Sequence, residues 1–86
     1  MDLAVVHHIN NAQLWKQALE DYPEPPAGFK LRSFVEAVDG IQAFCLWEAP
    51  TEAELQEELD RTLGHAAVNE VIPVRVNHFE GHVDLS

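Results

Sequence analysis

Histidine stands at positions His7, His8, His65, His78 and His82 of this 86-residue chain, beside a single cysteine, Cys45. Imidazole nitrogen, thiolate sulfur and carboxylate oxygen suit a borderline transition metal such as nickel or zinc. None of these residues builds a strong motif. The chain has no His-Glu-x-x-His and no Cys-x-x-Cys, so zincin and zinc-finger readings fail. His7 and His8 are neighbours in an apolar, β-branched run, so on a strand they leave opposite faces and only one can enter a given pocket. There its expected companions across the sheet are Cys45 and Glu36. His7, His8, His65, Cys45 and Glu36 therefore form the candidate metal set.

Each of these residues also has a structural reading. An inward histidine is commonly a hydrogen-bonded interior or interface group. His65 follows a glycine helix stop, where the helix dipole favours an imidazolium whether or not metal is present. A buried cysteine behaves as a small hydrophobe, and a reactive one needs a histidine or cation nearby to lower its pKa. Glu36, if inward, must meet Arg32, a histidine or a metal. His78 and His82 share an i, i+4 spacing, but Asn77, Gly81 and the lack of an apolar stripe argue against a helix there. No serine sits in a nucleophile elbow and no glycine loop resembles a phosphate cradle.

The elements that must position these groups alternate in a readable order. Leu3 to Ile9 reads as a strand. Asn10 or Asn11 caps a helix whose stripe is Ala12, Trp15, Ala18, Leu19 and Tyr22. Pro23, Pro25, Pro26 and Gly28 end it in a stiff loop. Phe29 to Val38 and Ile41 to Glu48 read as strands joined by Asp39-Gly40, a pair suited to a type I′ hairpin turn. Thr51 and Glu54 form a capping box for a helix with the stripe Leu55, Leu59, Thr62 and Leu63. The acids Glu52, Glu54, Glu57, Glu58 and Asp60 read as its solvated face, and Gly64 as its stop. Val71 to Val76 reads as a last strand, with Pro73 suggesting an edge.

The order β-α-β-β-α-β predicts one ferredoxin-like α+β domain over residues 1–76 and a polar tail over 77–86. Its sheet should be four-stranded and antiparallel, in the order 4-1-3-2, with both helices on one face. A two-residue turn would place Arg32, Phe34, Glu36, Cys45 and Trp47 on one face of the hairpin, with Arg32 opposite Trp47. Phe29, Leu31, Val35, Phe44 and Leu46 would share the other face. Both faces carry large apolar groups, so the uncovered one needs a cover, and a second copy is the simplest. The mixed polar and aromatic face with Arg32 and Trp47 is expected to be the non-helical one.

Fifteen acids against five Lys plus Arg give a formal net charge of −10. That balance disfavours nucleic acid and anionic membranes as partners. A lone cysteine excludes an internal disulfide and fits a reducing compartment. The segment Met1 to Ile9 is too short to span a bilayer and lacks a basic n-region. The expectation is a cytoplasmic homodimer.

The stretch Phe44-Cys45-Leu46-Trp47-Glu48-Ala49-Pro50, the acid-rich helix and then Arg61-Thr62-Leu63-Gly64-His65-Ala66 together carry a resemblance. They resemble a family of small ferredoxin-like proteins with a Phe-Cys-Leu-x-Glu-x-Pro strand end and an Arg-Thr-x-Gly-His-like helix end. One member of that family binds nickel, and most have no known function. Val6-His7 is similar to its first strand. The likeness covers Leu3 to Val74 and is sharp only from Phe44 to His65. It implies a homodimeric α+β barrel with His7, Cys45, Glu48 and His65 at family positions. This chain departs by adding His8, the histidines of the tail and the proline-rich loop. Two functions follow as expectations, beside a third reading as a structural or interaction module with no site. One is a homodimer binding a transition-metal ion. The other is a small-molecule enzyme of the dimeric α+β barrel monooxygenase or isomerase kind, with a histidine and Glu36 as acid and base.

Overall fold

The computed structural model describes residues 1–77, so the tail histidines His78 and His82 lie outside the described residues. The elements are β1 (Asp2–Ile9), α1 (Ala12–Glu20), β2 (Lys30–Glu36), β3 (Gln42–Glu48), α2 (Glu52–Leu63) and β4 (Ala67–Pro73). The strands form one antiparallel sheet in the order β2-β3-β1-β4, the expected 4-1-3-2 read from the other edge. This is a ferredoxin-like α+β arrangement. No helix among the described residues is long and apolar enough to cross a membrane.

Local chemistry sets the helix bounds. Asn11, the second of the two candidate caps, accepts the Leu14 N–H at 3.0 Å. Thr51 accepts the Glu54 N–H at 3.1 Å. Gly64 does end α2, but with φ −62°, so it is no left-handed stop. A Cβ there would fall on the Asp60 carbonyl oxygen, so this position requires a residue without one.

Alternation along β1 decides which face the helices cover. Leu3, Val5 and His7 are buried. Their register with β3 puts Ala43, Cys45 and Trp47 on the same face, and Ala67, Asn69 and Val71 of β4 join them. Trp15 and Ala18 of α1 and Leu55, Leu59 and Leu63 of α2 close that face into a single core. Each buried leucine contributes on the order of 2 kcal/mol by leaving water. Ala12, expected in the α1 stripe, is exposed.

Four expectations are corrected. The hairpin turn is not type I′. It runs from Ala37 to Gly40, closed by the Gly40 N–H on the Ala37 carbonyl at 3.0 Å, with only Gly40 at positive φ (+76°). The Ile41 N–H then turns back to Asp39 Oδ1 at 3.0 Å, which spares Asp39 the left-handed conformation. The register from Ser33 to Glu36 is nonetheless the expected one. A bulge between Leu31 and Ser33 then overturns the placement of Arg32 opposite Trp47, because Leu31 faces Trp47 instead. Arg32 pairs with Glu48 at 2.7 Å.

The third correction reverses the faces. Cys45 and Trp47 look toward the helices, and the open face is built from Ala4, Val6, Val35, Phe44, Leu46, Val68 and Ile72. Both hairpin faces are apolar, so the hairpin alone does not distinguish them. The burial of β1 does. The fourth concerns β4, which begins at Ala67 rather than Val71 and ends at Pro73 rather than Val76. Pro73 does lie at an edge strand, as expected.

Candidate functional site

The helices cover β1, β3 and β4 but stop short of β2, whose residues are exposed throughout. A cleft of about 710 Å³ is lined by residues of β2 and of the loop after α1, which Pro23 and Pro25 stiffen. Leu31 and Phe34 form one wall, and Leu19, Tyr22 and Phe29 the other. Leu59 and Leu63 close the back. His7, Cys45 and Trp47 make the floor. A mostly apolar cleft with a few convergent polar groups is the usual form of a small-molecule site.

The floor is built by strand pairing. His7 of β1 stands opposite Asn69 of β4, and its neighbour two residues back, Val5, stands opposite Cys45 of β3. His7 therefore reaches Asn69 on one side and Cys45 on the other. Its Nδ1 lies 2.6 Å from Asn69 Oδ1, and its Nε2 3.1 Å from Cys45 Sγ. The Trp15 ring lies against the imidazole at 5.0 Å between centroids.

The proton positions follow from the partners. The Asn69 amide NH₂ donates to the Leu59 carbonyl at 3.3 Å and to Asp60 Oδ1 at 3.2 Å. Only its oxygen is left for His7, so His7 Nδ1 carries the proton and donates it. Nε2 is then bare and accepts the weak Cys45 S–H. Gln56 completes the outer support, donating to Asp60 at 3.2 Å and to the Asn69 carbonyl at 2.7 Å.

Burial keeps the floor uncharged. It holds the His7 imidazole below its ordinary value, opposed by the Asn69 hydrogen bond and aided by the charge of His8. It pushes the Cys45 thiol up to about 12, with the neighbouring Trp47 indole N–H pulling the other way. Although the indole adjoins the sulfur, it completes no hydrogen bond with it, and Trp47 Nε1 has no partner among the described residues. Nor does the Tyr22 hydroxyl. Thr62 lies near that hydroxyl, but its own proton is committed to the Glu58 carbonyl at 2.8 Å. Burial raises the Tyr22 pKa, so the phenol remains a donor.

The structure thus brings together two of the expected metal residues, His7 and Cys45, and separates the rest. His8 lies on the open face, 3.2 Å from Glu70. His65 is exposed beyond α2, in the place the helix dipole favours. Glu36, expected inward, is exposed because no helix covers β2. Glu48 pairs with Arg32. Among the described residues, no three His, Cys, Asp or Glu side chains gather closely enough to hold a metal ion. A His–Cys pair alone does not make the closed ligand set of a structural site.

Asn69 is the functional residue that sequence reasoning missed. Its signal was its alternation with Ala67 and Val71, a polar group on an inward phase, which becomes visible once β4 is started at Ala67. No protein-family model, no curated protein and no solved structure matches the chain. The resemblance to the nickel-binding member's family gains no support from these comparisons, and the functional argument rests on the site alone.

Proposed function

We propose that the cleft binds a small, largely apolar molecule and that His7 moves a proton on it, as in a small-molecule enzyme. One observation carries this reading. Asn69 fixes the proton on His7 Nδ1, so that a neutral, buried Nε2, which accepts the Cys45 S–H, lies beneath a mostly apolar cleft. A general base needs that arrangement, a lone pair of fixed direction and a pKa near or below neutrality. The Cys45 S–H that occupies Nε2 is a weak donor, and a ligand displaces it at little cost.

A protein-observed NMR screen of neutral aromatic fragments tests the reading. Shift changes should cluster on His7, Cys45, Trp47 and Phe34. Phe34→Lys, at the half-open wall and outside the core, should abolish them while the remaining spectrum stays folded. Changes scattered over the surface, or binding that survives Phe34→Lys, would remove the basis for an enzyme reading.

The homodimer belongs to the same proposal. The open sheet face presents Val6, Phe44, Leu46, Val68 and Ile72 to water. Such a patch on a small domain is best covered by a second copy. Its rim places Arg32 beside Glu48, charges of both signs that a two-fold axis can match. The transition-metal reading retains one support, the adjacent nitrogen and sulfur of His7 and Cys45, and needs a further ligand from outside the described residues or from the partner. Elemental analysis of protein purified without a histidine tag tests it, with near-stoichiometric nickel or zinc as the supporting result.

A further inference from the structure

We infer that Cys45 is a nucleophile for acyl transfer, with His7 as the base that takes its proton and Asn69 positioning that base. The substrate class is an ester or thioester with an apolar acyl group. The inference rests on the reading of the cleft as a binding site and adds the reaction to it.

Three side chains from three strands stand in one chain of contacts. Cys45 Sγ of β3 lies 3.1 Å from His7 Nε2 of β1, and His7 Nδ1 lies 2.6 Å from Asn69 Oδ1 of β4. A nucleophile within hydrogen-bond reach of a base, with the base held by a third group, is the arrangement that activates a thiol or hydroxyl. The direction of the proton fits it. With Nδ1–H committed to Asn69, the Nε2 lone pair is turned to the S–H. Cys45 keeps the most exposure of the three, 8% against 5% for Asn69 and 0% for His7, and it lines the cleft. His7 needs no opening of its own to take a proton from the sulfur.

Burial pushes the Cys45 thiol up to about 12, so no thiolate waits at rest. The thiol then works as a serine hydroxyl does, releasing its proton to the base as the new bond forms. Disulfide exchange needs a thiolate already formed, and this attack does not. The lining fits the two halves of an acyl donor. Leu31, Phe34 and Leu59 receive an apolar acyl group, whereas Lys30 and Glu24, also lining the cleft and exposed, suit a polar leaving half.

The step balances without a cofactor. Sγ attacks the acyl carbon, its proton passes to His7 Nε2, and the carbonyl π pair moves onto oxygen. That pair returns, the bond to the leaving oxygen or sulfur breaks, and the leaving atom takes the proton from Nε2. The acyl group stays on Sγ as a thioester. Water then attacks the thioester by the same route, giving a carboxylic acid and restoring the thiol.

The test treats the full chain with p-nitrophenyl hexanoate and p-nitrophenyl acetate at neutral pH. The expected result is a single acyl group, mapped by mass spectrometry to Cys45 and removed by neutral hydroxylamine as a thioester is. The hexanoate should react about tenfold faster than the acetate, part of what burying the added methylenes supplies. His7→Gln should slow acylation about a hundredfold, the usual worth of a positioned base. Phe34→Lys should erase the preference for the longer acyl group. The labelling site and chain-length preference of the unmutated protein keep the test decisive should His7→Gln fail to fold. Acylation on lysines alone, or on no residue, while aromatic fragments still shift the cleft resonances, would overturn Cys45 as nucleophile and leave the cleft reading standing. A folded His7→Gln that acylates as fast as the unmutated chain would overturn His7 as its base. Neither acylation of Cys45 nor fragment binding at the cleft would overturn both readings together.

Discussion

Replacing Asn69 with alanine removes the acceptor of the His7 Nδ1–H and leaves a buried donor unpaired. Asn69→Ala should lower stability by about 3 kcal/mol, read from urea unfolding, because the lost bonds add to the cost of the orphaned group. The imidazole should also lose its tautomeric preference, visible in its ¹⁵N shifts. Cys45 makes a second residue-scale prediction. With its pKa pushed up to about 12, it should react with a disulfide reagent near neutral pH on the order of a thousandfold more slowly than free cysteine, until the protein unfolds. His7 supplies a third. Its folded pKa lies below the ordinary 6.5, so below that pH the unfolded chain takes a proton the folded chain refuses. The His7 contribution is whole above 6.5 and is lost as pH falls from there toward the folded value. Urea midpoints should drop across that window while the His7 ring stays neutral by NMR. At this scale, His7 and Cys45 were legible from residue type and from the strand phase that separates His7 from His8. Asn69 was not, because asparagine is so often a turn or surface residue that only its strand register reveals the role.

Capping and turn chemistry act at the scale of the element. Gly40 sits at φ +76° with open space around the position a Cβ would take. Gly40→Ala should therefore cost about 1 kcal/mol through backbone strain alone, and Gly40→Asn should cost less, since asparagine tolerates the left-handed region. Denaturant midpoints of the two variants check the ranking. The strands, both helices and their caps could be read ahead of the structure because each has a local physical cause, an apolar period or a capping oxygen. The bulge at Arg32 and the start of β4 had none. A bulge depends on how two strands twist against each other, and Ala67 and Val68 carry no turn or breaker signal to mark the strand's beginning. The cleft was illegible for a related reason. It exists because the helices leave β2 bare, and helix placement over a sheet is settled by packing between distant segments.

Across the whole molecule, the strand order followed from the element order, whereas the assignment of faces came out reversed. Two apolar hairpin faces look alike until β1 commits Leu3, Val5 and His7 to the helices. The uncovered face then makes a prediction about assembly. Phe44→Lys should leave the unfolding midpoint nearly unchanged at low protein concentration while sedimentation shows the proposed dimer lost. Each chain carries a formal charge of −10, so association opposes a long-range repulsion. Raising salt from about 20 to about 200 mM should tighten the dimer, the reverse of what a charge-driven interface shows.

The bulge in β2 also bears on changes of chain length. On its two sides, Leu31 faces Trp47 and Ser33 faces Leu46, with Arg32 unopposed between them. Deleting Arg32 would therefore heal the ladder rather than break it. Leu31, Phe34 and Trp47 would keep their partners and only the ion pair to Glu48 would be lost. The cleft wall thus contains one point at which the chain can shorten by a residue without altering what a ligand meets, whereas a deletion from Ser33 to Glu36 would turn the following side chains to the opposite face.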